Sequence, residues 1–348
     1  MTRYKQQPMD FAALKTIPIQ ERGGKVRAED FATPYRKGSG VSGFVDSLPH
    51  ILAGDSFRQL VDAVANARSA SKPVLWGLGG HVVKCGLAPI LIDLIGRGYA
   101  TAFALNGAAA IHDFEIAIAG QTSEDVEAVL PDGRFGTAEE TGREMNRAIA
   151  QGVEQPLAGR LGASGAEALL HPERQHGQSG VTEESAGFGE LLGCRLDAIA
   201  DPRYASHSLL LAAWRNSAPV TVHVAVGTDT PHAHPAADGV AIGAASHRDF
   251  RLFCSLVAEM NQGGVYINVG SAVILPEVFL KAVSVVRNLG RPLADFATAN
   301  LDFLQHYRPR VNVVERPHAR AGGRGISITG HHELTLPLLA AALIERAP

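Results

Sequence analysis

Six histidines of this chain directly follow short apolar runs, and any chemistry the chain performs is best sought there. His81 follows Gly77-Leu78-Gly79-Gly80, and His112 follows Asn106-Gly107-Ala108-Ala109. His232 and His234 lie in GTDTPHAHP (227–235), and His331 and His332 lie in TGHHE (329–333). Imidazole titrates near neutrality, so it serves as general acid or base, or when neutral as a metal ligand. An HxH pair on extended backbone sends both rings to one side, which is a common way to hold a metal. Asp113, Asp229 and Glu333 adjoin the same turns as candidate acid/base groups. Any one of these rings could instead be satisfied by loop carbonyls. Separated HxH and HH pairs are also a weaker signal than a helical HExxH, which is absent. The expectation is a metal-free polar pocket, with a divalent metal on His232, His234, His331 and His332 as the alternative.

Other chemistries leave no mark. There is no GxSxG elbow and no Walker A motif. Cys85, Cys194 and Cys254 are far apart, form no CxxC pair and carry no local nucleophile signature. Such sparse thiols read as a reducing compartment.

The elements that must position these groups alternate. Asp55–Ala70 has helical apolar spacing, with Asp55 or Ser56 as its cap. Pro73–Trp76 reads as a strand ending in a glycine turn, Val82–Arg97 as a helix, and Ala100–Leu105 as a second strand. That order is a βαβ unit, hence a parallel pair. Residues 121–185 hold a helical stretch (GTAEETGREMNRAIAQG) and then a polar loop, HPERQHGQSG (171–180). Further strands are read at Pro219–Val226, Gly264–Val269, Ala294–Asn300 and Gly325–Thr329. Helices are read around 247–260, at Glu277–Asn288 and at Leu336–Arg346. Apolar strands alternating with helices predict an α/β fold, a doubly wound Rossmann-like parallel sheet covered on both faces. Ligands of such sheets bind at the carboxyl ends of the strands, where the histidine-bearing turns fall. Gly77–Gly86 offers close backbone approach to an anion such as a phosphate, although a tight βα turn has the same look. Lys84 in that turn suits a phosphate ligand as well.

Composition bounds the rest. The chain has 348 residues, 46 % hydrophobic and 19 % charged, with a formal net charge of −3. That is ample material for a core and a poor match to nucleic acid or acidic membranes, which select clustered Lys and Arg. Only seven lysines occur, none beyond Lys281. No apolar stretch reaches the roughly 18–20 residues of a membrane helix, and no signal-peptide core is present, so a cytoplasmic location is expected. Residues 1–45, rich in Gly, Pro, Lys and Arg, read as an extended arm ordered against a neighbouring subunit, and 46–348 as a single α/β domain.

Four segments, in order, resemble the deoxyhypusine synthase family. PVLWGLGGHVVKCGLAPILIDLIGRGYATAFALNGAAAIHDFE (73–115) is similar to its NAD-binding start, and PVTVHVAVGTDT (219–230) to the strand before its Thr-Asp-Gly turn. GGVYINVGSAVILPE (263–277) resembles a strand and glycine turn, and ISITGHHELTLPLLAAAL (326–343) the last strand, nucleotide-contacting turn and helix. The resemblance spans roughly 70–345. It implies NAD contacts at Gly80, Cys85, Asn106, Gly107, Ala108, Asp229, Gly270, Ser271, Thr298 and His331. It sets His112 where the family has a glutamate of the amine pocket, with Asp113 beside it and His232 near a second pocket acid. It also implies a homo-oligomer, a homotetramer in particular.

One departure bears on activity. The family's Trp-Gly-Lys segment carries a lysine that forms an imine with the butylamine fragment of spermidine. The matching stretch here, YRPRVNVVERPHARAGGRG (307–325), has arginines and no lysine. A guanidinium stays protonated and cannot be that nucleophile. The expectation is an NAD(P)-dependent oxidoreductase or transferase on a small polar substrate, not deoxyhypusine synthesis. His112, Asp113, His232, His332 and Glu333 are its candidate catalytic groups, and the arginines of 308–324 would bind an anionic substrate. A metal-dependent hydrolase or lyase using the histidines with Asp229 or Glu333, and a non-catalytic ligand-binding relative, are the alternatives.

Overall fold

The computed structural model describes residues 3–158 and 186–346, with side chains over 3–152 and 186–346. The polar loop expected at 171–180 lies outside the described residues. Six strands form one sheet: β1 (Val74–Leu78), β2 (Ala102–Asn106), β3 (Val220–His223), β4 (Val265–Val269), β5 (Ala297–Asp302) and β6 (Arg324–Thr329). Every pairing is parallel, and the spatial order is β3-β2-β1-β4-β5-β6. This is the order of the dinucleotide-binding doubly wound fold, which reverses direction between β1 and β4. The central strands are continuous apolar runs because both faces are covered; all residues of β1 and β4 are buried.

Alternate residues feed two cores. Val74, Trp76, Leu78, Ile267 and Val269 face one layer, where helices α1 (Gly40–Ser47), α2 (Leu52–Ser69), α3 (Gly80–Lys84), α4 (Ala88–Gly96) and α5 (Gly107–Ala119) lie. Leu75, Tyr266 and Ala104 face the other. There Tyr266 stacks on Phe279 at 4.0 Å between ring centroids. Chain order continues with α6 (Glu139–Ala158), α7 (Phe188–Ile199), α8 (Leu209–Arg215), α9 (Gly239–Ala258), α10 (Ile274–Asn288) and α11 (His332–Glu345). Of these, α9 and α10 supply Phe253, Val257, Leu275 and Phe279 to the second layer, and Leu336, Leu339 and Leu343 of α11 belong to the first.

Several boundaries differ from the sequence reading for local reasons. The helix expected over Val82–Arg97 is two, α3 and α4, separated where Gly86 adopts φ +74° and Pro89 starts the second. Helix α2 begins before its expected cap, so Asp55 lies in its first turn and accepts from Gln59 instead, at 2.6 Å. Helix α9 starts two turns before residue 247, where Asp238 accepts from the amides of Val240 (2.7 Å) and Ala241 (3.3 Å). Helix α1 overlaps the end of the expected arm, and Glu345 of α11 accepts from the amides of Val41 and Ser42. Residues 3–39 are almost wholly exposed and carry no regular element beyond one 3-10 turn, Ala28–Asp30. Among the described residues no helix is long and apolar enough to cross a membrane.

Candidate functional site

At the switch point the turns after β1 and β4 close on each other. The Gly79 amide donates to the Val269 carbonyl at 2.9 Å. A side chain at 79 would fall 2.1 Å from the Gly270 carbonyl oxygen. Gly270 itself has φ +66° and faces the His332 ring, 2.8 Å from where its Cβ would stand. A side chain at 79 would have to move backbone, and one at 270 would take a strained left-handed conformation and displace the buried His332 ring. Gly80 abuts Ala108 and His112 of α5, which links this turn to the one after β2. Ser271 is buried, and its hydroxyl accepts from the Leu275 amide at 3.2 Å, starting α10.

On the β5–β6 side of that point lies a polar and aromatic cluster. His81 and Cys85 are one helical turn apart, and Cys85 Sγ sits 3.1 Å from His81 Nε2. Glu333 Oε2, from the first turn of α11, lies 3.9 Å from the same sulfur. The His81 ring is 5.6 Å from that of His332 and 6.3 Å from Phe303. Phe303 stacks on His331 at 6.0 Å, and His331 Nδ1 is 3.7 Å from Glu333 Oε1. His332 is 1 % exposed; its Nε2 lies 3.2 Å from the Leu301 carbonyl and 3.7 Å from Asp302 Oδ1, while its Nδ1 has no hydrogen-bond partner. Burial holds the His332 pKa below the ordinary histidine value, with the Asp302 carboxylate pulling the other way. Burial and then the Glu333 carboxylate push the Cys85 thiol up. Glu333 is held below the usual range by its own backbone amide and then by the surrounding histidines.

The β2–β3 side forms a second group. Asn106 Oδ1 accepts from the Ala109 amide at 2.9 Å and caps α5. The Asp229 carboxylate packs against Gly107, where it fills the space in front of that helix, and accepts from the Ala225 amide at 2.8 Å. Burial raises its pKa. His232 lines a small apolar cavity with Gly107, Ile111, Asp229 and Phe188, and its Nδ1 is buried without a partner. His112 Nδ1 is 2.7 Å from the Thr122 hydroxyl, which donates to Glu115 at 2.5 Å. That hydroxyl has one proton, so it accepts from His112, which fixes the imidazole proton on Nδ1 and leaves Nε2 as the acceptor. Burial, then the charge of Lys84, drops the His112 pKa to about 4, so the ring is neutral at pH 7.

Three expected site residues are elsewhere. Asp113, on the buried face of α5, accepts from the Ser208 hydroxyl (2.6 Å) and the amides of Leu209 (2.7 Å) and Leu210 (2.9 Å). It holds the start of α8, and burial raises its pKa to about 6. Thr298 is near the beginning of β5, four residues or about 13 Å from the carboxyl edge. Its hydroxyl donates to the Val313 carbonyl at 2.6 Å and is 2.8 Å from His318 Nε2. His234 has both ring nitrogens engaged, Nε2 with Glu139 at 3.2 Å and Nδ1 with the Ala236 amide at 3.0 Å.

The four-histidine metal alternative is excluded by topology. His232 and His234 follow β3 and His331 and His332 follow β6, the two opposite edges of the sheet. Five strand spacings separate them by about 24 Å. The arginines of 307–325 are largely engaged within the chain: Arg308 with Glu277 at 3.3 Å, Arg310 with Glu315, and Arg316 with Asn312 at 2.9 Å. That pairing leaves little of the anion-binding surface expected there. The sequence reading missed the meeting of His81, Cys85 and Glu333. The i,i+4 spacing of the first two was visible, but their partner is 248 residues from Cys85.

No protein-family profile and no curated protein sequence matches the chain. Several solved structures show some similarity to the chain. AgrE, in a ternary complex with ornithine and NAD+, is 14 % identical with a TM-score of 0.49, over 85 % of this chain and 34 % of that one. A candidate LOR/SDH protein from Methanococcus maripaludis S2 is 13 % identical at 0.48, over 85 % and 70 %. A candidate deoxyhypusine synthase from Entamoeba histolytica is 13 % identical at 0.45, over 90 % and 96 %. The chain thus spans about a third of AgrE. At these identities and scores the likenesses carry no argument about activity, and the fold class rests on the strand order itself.

Proposed function

We propose that this chain is a nicotinamide-dinucleotide-linked enzyme, of oxidoreductase or transferase type, acting on a small polar substrate. The observation that carries this reading is the β3-β2-β1-β4-β5-β6 order, with glycine turns and a buried serine at its reversal. The residues there fit such a ligand in two respects. The orphaned Nδ1 of buried His332, beside Gly270, lacks the polar partner that a bound molecule would provide. Lys84, the last residue of α3, is an exposed cation one helical turn from Gly80 and suits a phosphate. His112 supplies a neutral imidazole for proton transfer, and His332 orients the ligand. When bound, the dinucleotide supplies hydride chemistry that no side chain can. Deoxyhypusine synthesis is not part of the proposal, because no lysine occurs after Lys281.

One departure sharpens the reading. The strand-end carboxylate that binds a ribose 2′-hydroxyl in many NAD enzymes is not supplied by β2, whose last residue Asn106 caps α5; the carboxylate beside that turn is Asp229, from the loop after β3. A carboxylate at that position repels a 2′-phosphate, so NAD forms should bind at least as tightly as NADP forms. Thermal unfolding with each of the four nucleotides tests this. A nucleotide at 100 times its dissociation constant adds about 2.7 kcal/mol of stability. Lys84→Ala should reduce the shift. No shift with any of the four at millimolar concentration contradicts the proposal.

A further inference from the structure

Beyond the nucleotide reading, we propose that His81, Cys85 and Glu333 form a binding site for a borderline-soft divalent cation of the zinc class. The three side chains come from two separate segments, the turn after β1 and the turn after β6, which the sheet brings to one edge. One ligand atom from each lies within 4.8 Å of the other two, the only such His/Cys/Asp/Glu group among the described residues. Tetrahedral zinc, with Zn–N of about 2.0–2.1 Å and Zn–S of about 2.3 Å, requires ligand-to-ligand separations of about 3.3–3.8 Å. The sulfur is 3.1 Å from His81 Nε2 and 3.9 Å from Glu333 Oε2, so two of the three edges are within a few tenths of an ångström of that geometry.

The donor set matches the ion in kind. A thiolate, an imidazole and a carboxylate offer soft, intermediate and hard donors, and their two negative charges neutralise a divalent cation. His81 Nε2 faces the sulfur; with Nε2 on the metal, Nδ1 carries the ring proton, as a ligating imidazole requires. Three protein ligands leave a fourth position open, and His81 and Glu333 are exposed, so water or a substrate oxygen can reach it. A second observation lies alongside: His332, 1 % exposed, is 5.6 Å from the His81 ring and keeps an unpartnered Nδ1. A metal-bound water is one group able to satisfy it. The site is distinct from the histidine set at 232, 234, 331 and 332 that the strand order excludes.

The test uses cobalt(II) as the probe on the full chain, stripped of metal by chelator and dialysed. The expected result is thiolate-to-cobalt charge-transfer absorption that saturates at about one equivalent and is displaced by zinc. Cys85→Ser should abolish that absorption, and Cys194→Ser should leave it intact. Glu333→Gln should weaken binding by at least the roughly 10–100-fold seen for lost outer-shell partners of metal ligands. Circular dichroism checks that each variant folds. No charge-transfer absorption in the folded wild type, or its persistence in Cys85→Ser, overturns the proposal. Neither outcome bears on nucleotide binding, which the thermal titrations read separately.

Discussion

At the scale of single residues, the histidines and carboxylates of this chain divide into those that face the carboxyl edge and those that build the fold. His81, His331 and Glu333 are exposed there, and His112 and His332 adjoin it. Asp113 and Asp249 are interior. Asp249 accepts from the Val222 amide at 2.6 Å and the Gly189 amide at 2.9 Å, which ties α7 to β3. Burial raises its pKa from 3.8 to about 8. The folded chain therefore keeps this proton after the unfolded chain has lost it. The stability linked to that proton is complete below about pH 4 and is lost as pH rises through about 8. Asp249→Asn preserves the shape and cannot ionise. Denaturant unfolding of both proteins should show the wild type losing stability relative to Asp249→Asn between pH 4 and 8. By pH 9 the deficit should exceed about 1.4 kcal/mol, the equivalent of one pKa unit. Parallel curves across that range would mean the carboxyl ionises normally inside the fold.

At the scale of elements, the account turns on close contact between the turns after β1 and β4. Gly79→Ala drives a methyl into the Gly270 carbonyl and should cost about 1–3 kcal/mol or more. Gly243 is the opposite case, inside α9 with open space around it, so Gly243→Ala should stabilise by about 0.4–1 kcal/mol. Chemical denaturation of the pair checks both signs, and a neutral Gly79→Ala would mean the two turns are not packed as described. These elements were legible in the sequence to different degrees. Strands could be read because burial on both faces made them apolar runs, and glycines marked their ends. The break at Gly86 was missed because the apolar periodicity runs on through it from Val82 to Ile95. The start of α9 was missed because its first turns are small residues, Gly239, Ala241 and Gly243, that give no amphipathic signal. The edge location of most candidate site residues followed from strand order. The sequestration of Asp113 and the misplacement of Thr298 did not, since both depend on partners distant in sequence: Ser208 in one case and Val313 in the other.

At the scale of the whole molecule, two features ask for a partner. The arm exposes Met9, Phe11, Leu14, Ile17, Ile19 and Phe31 to solvent, each more than half accessible. Apolar side chains in such number on an extended segment are the mark of an interaction surface. The proposed partner is a second copy of the chain. Light scattering after size exclusion should give an oligomer for the full chain and a smaller species when residues 1–38 are removed with the fold intact by circular dichroism. A monomer in both cases would leave the arm without that role. The other feature is the carboxyl edge, where strand order, glycine turns and unpartnered imidazole nitrogens coincide. The most direct measurement of the central claim is amide chemical-shift mapping on the isotope-labelled chain as NAD or NADP is added. The account predicts saturable shifts centred on Gly80, Gly270, Ser271 and His332, at the β1/β4 switch point. Shifts confined to any other part of the sheet, or none at all with either nucleotide, would contradict it.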